Sequence, residues 1–322
     1  MTPDLVVLRA LGLGDLLTAV PALRALAQEV PGRRLLLTPK ALAPIAEPLG
    51  YEVLDLHGVR NVPHALPTEA ASTGLAVNLH GRGPESHAVL ADLHPRRLVA
   101  FACDGHDGPD WDEDEHEVAR WCRLLASAGI DADPADLAID APGAAPAPGS
   151  HDATIIHPGA ASRARCWPAE RWTRVITAER DAGRRVFVTG GADERVRARW
   201  IAATSGLDDA DVLAGRTSLS ELAATIAVAG RVVCGDTGVA HLATALGTPS
   251  VVLFGPTSPA RWGPPADRPI HRVLWAGRTG DPHASRPDPG LLEIGEDEVL
   301  QALEKLDGAQ TDDSRPIPTH VG

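Results

Sequence analysis

The stretch Arg231 to Pro259, RVVCGDTGVAHLATALGTPSVVLFGPTSP, runs an apolar strand into an Asp-Thr-Gly turn, then a helix, then a second apolar strand. Val232 and Val233 lead to Gly235, Asp236, Thr237 and Gly238, and the next strand, Ser250 to Phe254, ends in the turn Gly255-Pro256-Thr257. Strand, turn and helix in this order form a parallel β/α unit. Ligands of such sheets bind beyond the carboxyl ends of the strands. A glycine-bearing turn that opens a helix adds unpaired N–H groups and the positive end of the helix dipole, so the first ligand class it suggests carries phosphate.

Outward from that stretch, the chain reads as two α/β halves. The first opens with a strand, Leu5 to Leu8, the glycine turn Gly12 to Gly14, and a helix whose apolar positions Leu16, Leu17, Val20, Leu23, Leu26 and Ala27 recur at helical spacing. Further strands are expected at Arg34 to Thr38, Leu75 to Leu79 and Arg97 to Phe101, and a helix from about Glu115 to Ala128 closes the half. APGAAPAPGS, Ala141 to Ser150, has the composition of an interdomain linker. The second half restarts the pattern with a strand at Ala153 to His157, a helix at Pro168 to Asp181, and a strand at Arg185 to Thr189 that ends in Gly190-Gly191. A helix from Glu194 to Thr204, a short strand at Val212-Leu213 and a helix from Ser218 to Ala229 follow, the last opened by a Ser218-x-x-Glu221 capping box. Leu291 to Leu306 reads as a final helix, and the polar, proline-broken end as a disordered tail. The expected division is a first domain over 1–140, a linker over 141–150, a second domain over 151–307 and a tail over 308–322.

The chain of 322 residues is long enough for two domains with sizeable cores. Aromatic residues make up only 3%, so Val, Leu, Ile and Ala must build those cores. A net charge of -13 argues against a nucleic-acid or anionic-membrane surface, both of which need clustered Lys and Arg. Lys40 and Lys305 are the only lysines, a bias that reads as genome composition rather than a binding signature. No leader pattern opens the chain and no apolar run is long enough to span a bilayer, so the expected location is cytoplasmic, with peripheral membrane contact left open. Cys103, Cys122, Cys166 and Cys234 are far apart and form no C-x-x-C pair, which predicts buried thiols. The acidic run Asp110 to Glu117, DWDEDEHE, lacks the spacing of a calcium loop and stands just before a helix, where its charge complements the dipole.

Several fragments together carry a resemblance. They are Gly14-Asp15 before Leu-Leu and a Pro-Ala-Leu helix, His157-Pro158-Gly159-Ala160, Arg165 before Trp167-Pro168, Gly190-Gly191 after a strand, and Asp236-Thr237-Gly238-Val239-Ala240-His241 ahead of Phe254-Gly255-Pro256-Thr257. In order and spacing the chain resembles glycosyltransferase family 9, the heptosyltransferase-like enzymes. The resemblance implies the GT-B fold, two Rossmann-like domains facing across a cleft. It also implies inverting transfer of a sugar, often from ADP-heptose, to an acceptor hydroxyl. Inversion needs a base for the acceptor proton and donors or positive charge for the diphosphate leaving group.

On that resemblance Asp15 is the base; read alone, it is equally a helix cap. The donor set is Arg165, Glu194, Thr217, Asp236, Thr237, Gly238 and His241. Thr237 and Gly238 hold phosphate oxygens and His241, one turn on, reaches the donor or its sugar. Asp236 accepts from a sugar hydroxyl or fixes its turn. Arg165 stands where the family usually has lysine, and Glu194 is the candidate for the ribose hydroxyls, with a first-turn helix carboxylate as its other reading. The acceptor set is Gly14, Arg82 and His87, the last two on the loop Asn78 to His87, which also carries His80. The family scaffold implies no essential metal or other cofactor. The acidic balance fits an anionic lipid-linked acceptor poorly and favours a soluble sugar, a glycosylated metabolite or another cell-envelope glycan. Leu11-Gly-Leu-Gly-Asp-Leu-Leu is also a partial dinucleotide fingerprint, but Leu17 replaces its third glycine and no acidic residue ends the second strand. The stronger alternative is a GT-B sugar-nucleotide epimerase or a non-catalytic sugar-nucleotide-binding subunit.

Overall fold

The computed structural model describes residues 3–57 and 72–313, with 307–313 as backbone. The chain divides into two compact units, Met1–Pro142 and Gly143–Gly322, and the division falls inside the predicted linker. Part of that linker is tied to the second unit, where the Ala147 N–H donates to Thr225 Oγ1 at 2.9 Å.

The first unit is a parallel five-stranded sheet of β1 (Leu5–Leu8), β2 (Arg34–Thr38), β3 (Glu52–Asp55), β4 (Leu75–Asn78) and β5 (Arg97–Val99), in the order β3-β2-β1-β4-β5. The second is a parallel sheet of β6 (Thr154–His157), β7 (Val186–Val188), β8 (Arg231–Gly235), β9 (Ser250–Phe254) and β10 (His271–Trp275), in the order β10-β9-β8-β6-β7. The central strands read as continuous apolar runs because helices cover both of their faces: all of β1 and all of β9 are buried.

The cores are aliphatic, as the composition requires. Val6, Leu8, Leu35, Leu37 and Ala76 anchor the first, while Ile156, Val188, Val233, Val251 and Leu253 anchor the second. Each buried Val, Leu or Ile contributes about 1.5–3 kcal/mol. Trp121, Trp167 and Trp172 are the large exceptions: Trp167 and Trp172 are fully buried in the second core, and Trp121 is buried against Phe101, Trp111 and Arg9.

Five elements differ from the sequence pattern. The first helix is two, Leu13–Thr18 and Val20–Glu29, because Pro21 has no N–H to continue the ladder. The strand expected at Val212-Leu213 is a single bridge from Val212 to Val188. The edge strands β3 and β10 lack a fully apolar run, with burial that mixes exposed and covered positions, and they took no expectation. The final helix is split at Gly295 into Pro289–Glu293 and Glu296–Asp313, so it runs past Leu306 into the span read as tail, and residues 314–322 lie outside the described residues.

A buried charge cluster holds the first unit together. Arg9, at 0% exposure, donates from Nη2 to Glu117 Oε1 at 2.9 Å, Arg120 pairs with Glu117 Oε2, and Trp121 Nε1 donates to Glu117 Oε1 at 3.0 Å. Glu117 thus opens the Glu117–Ser127 helix and pairs with two guanidiniums. Removing one member of a buried ion network leaves uncompensated charge and costs about 3–5 kcal/mol. Glu117→Ala should lower the unfolding free energy by that amount in urea denaturation, and a loss under 1 kcal/mol would show that the cluster is not structural.

Candidate functional site

In each sheet the strand order reverses once. The first unit builds β2 and β3 to one side of β1 and then returns to place β4 on the other. The second builds β7 on one side of β6 and then β8 on the other. The crevice at the carboxyl ends of the two strands flanking such a reversal is where doubly wound sheets bind ligands. Most of the predicted site residues fall beside these two reversals.

In the second unit, β8 ends in Gly235 and the chain turns through Asp236 and Thr237 into the Gly238–Leu246 helix. Thr237 is the N-cap: its Oγ1 accepts the Val239 N–H at 3.1 Å. The Asp236 N–H is held by Leu253 O of β9 at 3.1 Å. Gly235 is required by a close approach, since a Cβ there would stand 3.1 Å from Arg165 O. This backbone crossing brings the turn after β6 against the turn after β8. Arg165 accordingly sits beside Asp236, with Nη1 3.2 Å from Asp236 O and 3.8 Å from Oδ2. Asp236 is buried, and its turn is held by Leu253 O and by Arg165. Arg165 thus lies beside the helix start, with its side chain 23% exposed.

Glu194 closes the neighbouring turn. A 3-10 turn, Ala192–Glu194, precedes the Arg195–Thr204 helix, and Glu194 Oε2 accepts the Gly191 N–H at 2.7 Å. A Cβ on Gly159 would overlap the same carboxylate, which places Glu194 between the ends of β6 and β7. Beneath it, His157 shares a hydrogen bond with Thr189 Oγ1 at 3.0 Å, and burial holds its imidazole below the usual pKa while the Glu194 carboxylate opposes the shift. Thr217 is half-buried beside this turn, two residues beyond Gly215, whose N–H donates to Gly190 O at 2.9 Å. Ser218 and Glu221 form the expected capping box. His241 lies one turn beyond Thr237, half-buried, with its ring 6.0 Å from that of Trp262.

In the first unit, Gly14 and Asp15 lie in the Leu13–Thr18 helix that follows β1. Gly12 is the N-cap, and Asp15, at the third helical position, accepts the Gly12 N–H through Oδ2 at 3.1 Å. Asp15 therefore serves the helix start from within the first turn, with its side chain 29% exposed and Oδ1 3.6 Å from Arg9 Nη2. Arg9 also donates from Nε to Asp15 O at 2.8 Å and from Nη1 to Leu79 O, so one guanidinium ties the end of β1, the end of β4 and Asp15 together.

The loop after β4 divides its residues. Arg82 is exposed and paired with Glu113 at 2.8 Å. His87 is a correction: it is 5% exposed, its Nε2 bonds Phe101 O at 2.8 Å and its Nδ1 faces Asn78 Nδ2 at 3.2 Å, so both ring nitrogens are spent inside the unit and none is left for an acceptor. His80 takes its place at the reversal. The Ala10 N–H donates to its Nδ1 at 3.2 Å, and burial with the Arg9 guanidinium lowers its pKa to about 4, which keeps the ring neutral. The acidic run answers arginines: Glu115 pairs with Arg123, Glu113 with Arg82 and Glu117 with Arg9 and Arg120.

A model of glycosyltransferase family 9 (heptosyltransferase) matches residues 106–288. The chain belongs to glycosyltransferase family 9. Lipopolysaccharide heptosyltransferase 1 of Pseudomonas aeruginosa is 35% identical to this family 9 chain over 162 residues, 49% of the chain and 44% of that protein. The chain spans less than half the length of the curated relatives it matches first. Among solved structures, the E. coli ADP-heptose lps heptosyltransferase II superposes with a TM-score of 0.71 at 21% identity, covering 97% of this chain and 100% of that one. The E. coli heptosyltransferase WaaC with ADP gives 0.70 at 21%, covering 94% and 99%. The family 9 chain thus has the α/β fold of two parallel-sheet units found in these GT-B proteins. Sequence reasoning passed over Arg9, His157 and Trp262; the last had a signal, a tryptophan three residues after Pro259 in a chain poor in aromatics.

His80 and His271, the latter also lowered to about 4 by burial and Arg268, stay neutral in the folded chain, whereas the unfolded chain takes up their protons from about pH 6.5. Below that pH the unfolded state binds more protons, so stability held in full above pH 6.5 should fall as the pH drops toward 4. Urea denaturation across this range should show the fall, and His80→Gln should shallow it; an identical slope in the variant would remove His80 from the account.

Proposed function

We propose that this chain is an inverting glycosyltransferase that moves a heptose from ADP-heptose to a hydroxyl of an acceptor glycan or glycosylated metabolite. The observation that carries the reading is the capped start of the Gly238–Leu246 helix at the reversal of the second sheet, with Arg165 held against it in a family 9 chain. Helix amides, the dipole and a guanidinium together suit a diphosphate. The names of the matched relatives, heptosyltransferases, and of the E. coli structure with ADP support the sugar and the nucleotide.

In this reading the second unit binds the donor and the first the acceptor. Thr237, Gly238 and Arg165 hold the diphosphate, Asp236 keeps Arg165 in register, Glu194 and Thr217 attend the ribose side, and His241 reaches toward the sugar. Asp15 takes the proton of the acceptor hydroxyl, whose oxygen forms the new bond to the anomeric carbon from the face opposite the leaving group. The bond from that carbon to the diphosphate oxygen breaks and its electron pair leaves with ADP. Negative charge grows on the departing phosphate, where the helix start and Arg165 meet it. The chain's own groups supply each charge, so the reading requires no metal or further cofactor. In this reading Gly14 and Arg82 belong to the acceptor side. Free thiols at all four cysteines support a reducing compartment, the cytoplasm. No helix among the described residues is long and apolar enough to cross a membrane, and contact with a membrane surface is left to the acceptor.

Thermal melting with ADP-, UDP-, GDP- and dTDP-sugars, with NAD as control, reads the donor directly, because a ligand present at a hundredfold excess over its Kd stabilises the native state by about 2.7 kcal/mol. ADP-heptose should raise the melting temperature most; a response to NAD alone would sink the reading. Asp15→Asn keeps the bond to the Gly12 N–H and should cut turnover about 10²–10⁴-fold with donor affinity unchanged. Release of a rearranged sugar nucleotide without acceptor would instead identify an epimerase.

A further inference from the structure

Trp262 ends the short helix Pro259–Trp262 that follows β9, with Ser258 as its N-cap. Its indole meets the His241 imidazole at 6.0 Å between ring centres and 69° between planes. His241 lies in the first turn of the helix that Thr237 caps, so Trp262, beside the His241 ring, stands one turn from the capped helix start. Trp121, Trp167 and Trp172 are fully buried in the cores, whereas Trp262 keeps part of its surface open. Trp121, Trp167 and Trp275 spend their indole N–H groups on Glu117, Ile294 O and Gly255 O.

The order of the strands gives the position a meaning. Along the carboxyl edge of the second sheet run the turn after β7 with Glu194, the turn after β6 with Arg165, the turn after β8 with Thr237, and the segment after β9 with Trp262. Neighbouring strands are about 4.8 Å apart, so Glu194 and Trp262 belong to turns about 14 Å apart, with the diphosphate site between them. A sugar nucleotide carries its nucleoside and its sugar on opposite sides of the diphosphate. With the ribose attended at Glu194, the sugar is at the β9 end.

We propose that Trp262, backed by His241, is the wall of the donor site that receives the transferred sugar. The inference rests on the donor reading above and adds to it the surface that recognises the sugar ring. An indole face is electron-rich and rigid, and the C–H face of a pyranose is apolar with a partial positive charge, so the two attract while water leaves both. The indole N–H adds a donor for a ring hydroxyl at the rim.

Calorimetric titration of the full chain with ADP and with ADP-heptose tests this, using the wild type, Trp262→Ala and Trp262→Phe. Trp262→Ala should weaken ADP-heptose about tenfold and leave ADP within twofold, and Trp262→Phe, which keeps an aromatic face, should recover most of the loss. Unchanged ADP-heptose affinity in Trp262→Ala would overturn the assignment. Equal weakening of ADP and ADP-heptose would also overturn it, since Trp262 would then only support the helix. A wild type that binds neither ligand would bring down the donor reading itself, a result distinct from either.

Discussion

Parallel pairing is the constraint on which the rest of this structure depends. Strands that all run one way need a crossover between each pair, so every carboxyl end of a sheet lies on one edge and every turn that opens a helix is delivered there. The order of the strands then reverses once in each unit, and at that reversal two turns diverge and leave a crevice. In the first unit Asp15 and His80 come to that edge; in the second, Arg165 and Thr237 do. Residues far apart in the chain meet because the sheet has an edge, without any direct pairing in sequence.

The charges follow the same economy. A guanidinium in an aliphatic interior is tolerated only when paired and hydrogen-bonded. Arg9 meets that demand with Glu117, Thr18, Leu79 O and Asp15 O, and so links the body of the first unit to the carboxylate proposed as base. Arg165 is partly exposed, and its Nη1 lies against the Asp236 turn, 3.2 Å from Asp236 O and 3.8 Å from Oδ2, so the carboxylate and the carbonyl orient the guanidinium beside the helix start. Much of the acidic run is likewise paired with arginines of its own unit.

The glycine turns, the capping box at Ser218 and the apolar central strands were legible because each is a local pattern whose physics acts over a few residues. The edge strands β3 and β10 were not, since an edge strand with one covered face lacks the continuous apolar run that marks a buried one. The break at Ala19 was written in Pro21 but masked by an unbroken helical spacing of leucines. His87 shows the harder limit. On a polar loop sequence it reads as a binding residue, yet it lies in a short helix, Glu85–Ala91, that turns its ring inward to Phe101 O, and no local pattern records which way a ring will face.

The sequence by itself determined the alternation of strand and helix, the aliphatic cores and the family, because hydrophobic periodicity, turn residues and motif order are properties of the chain alone. Tertiary structure alone decided which histidine of the Asn78–His87 loop stays at the strand reversal, that Glu117 would be the buried counter-charge of Arg9, and that Trp262 would stand beside His241. Those outcomes depend on strand order and on contacts between residues distant in sequence, and burial, hydrogen bonding and charge pairing acquire values only once the sheet has brought them together.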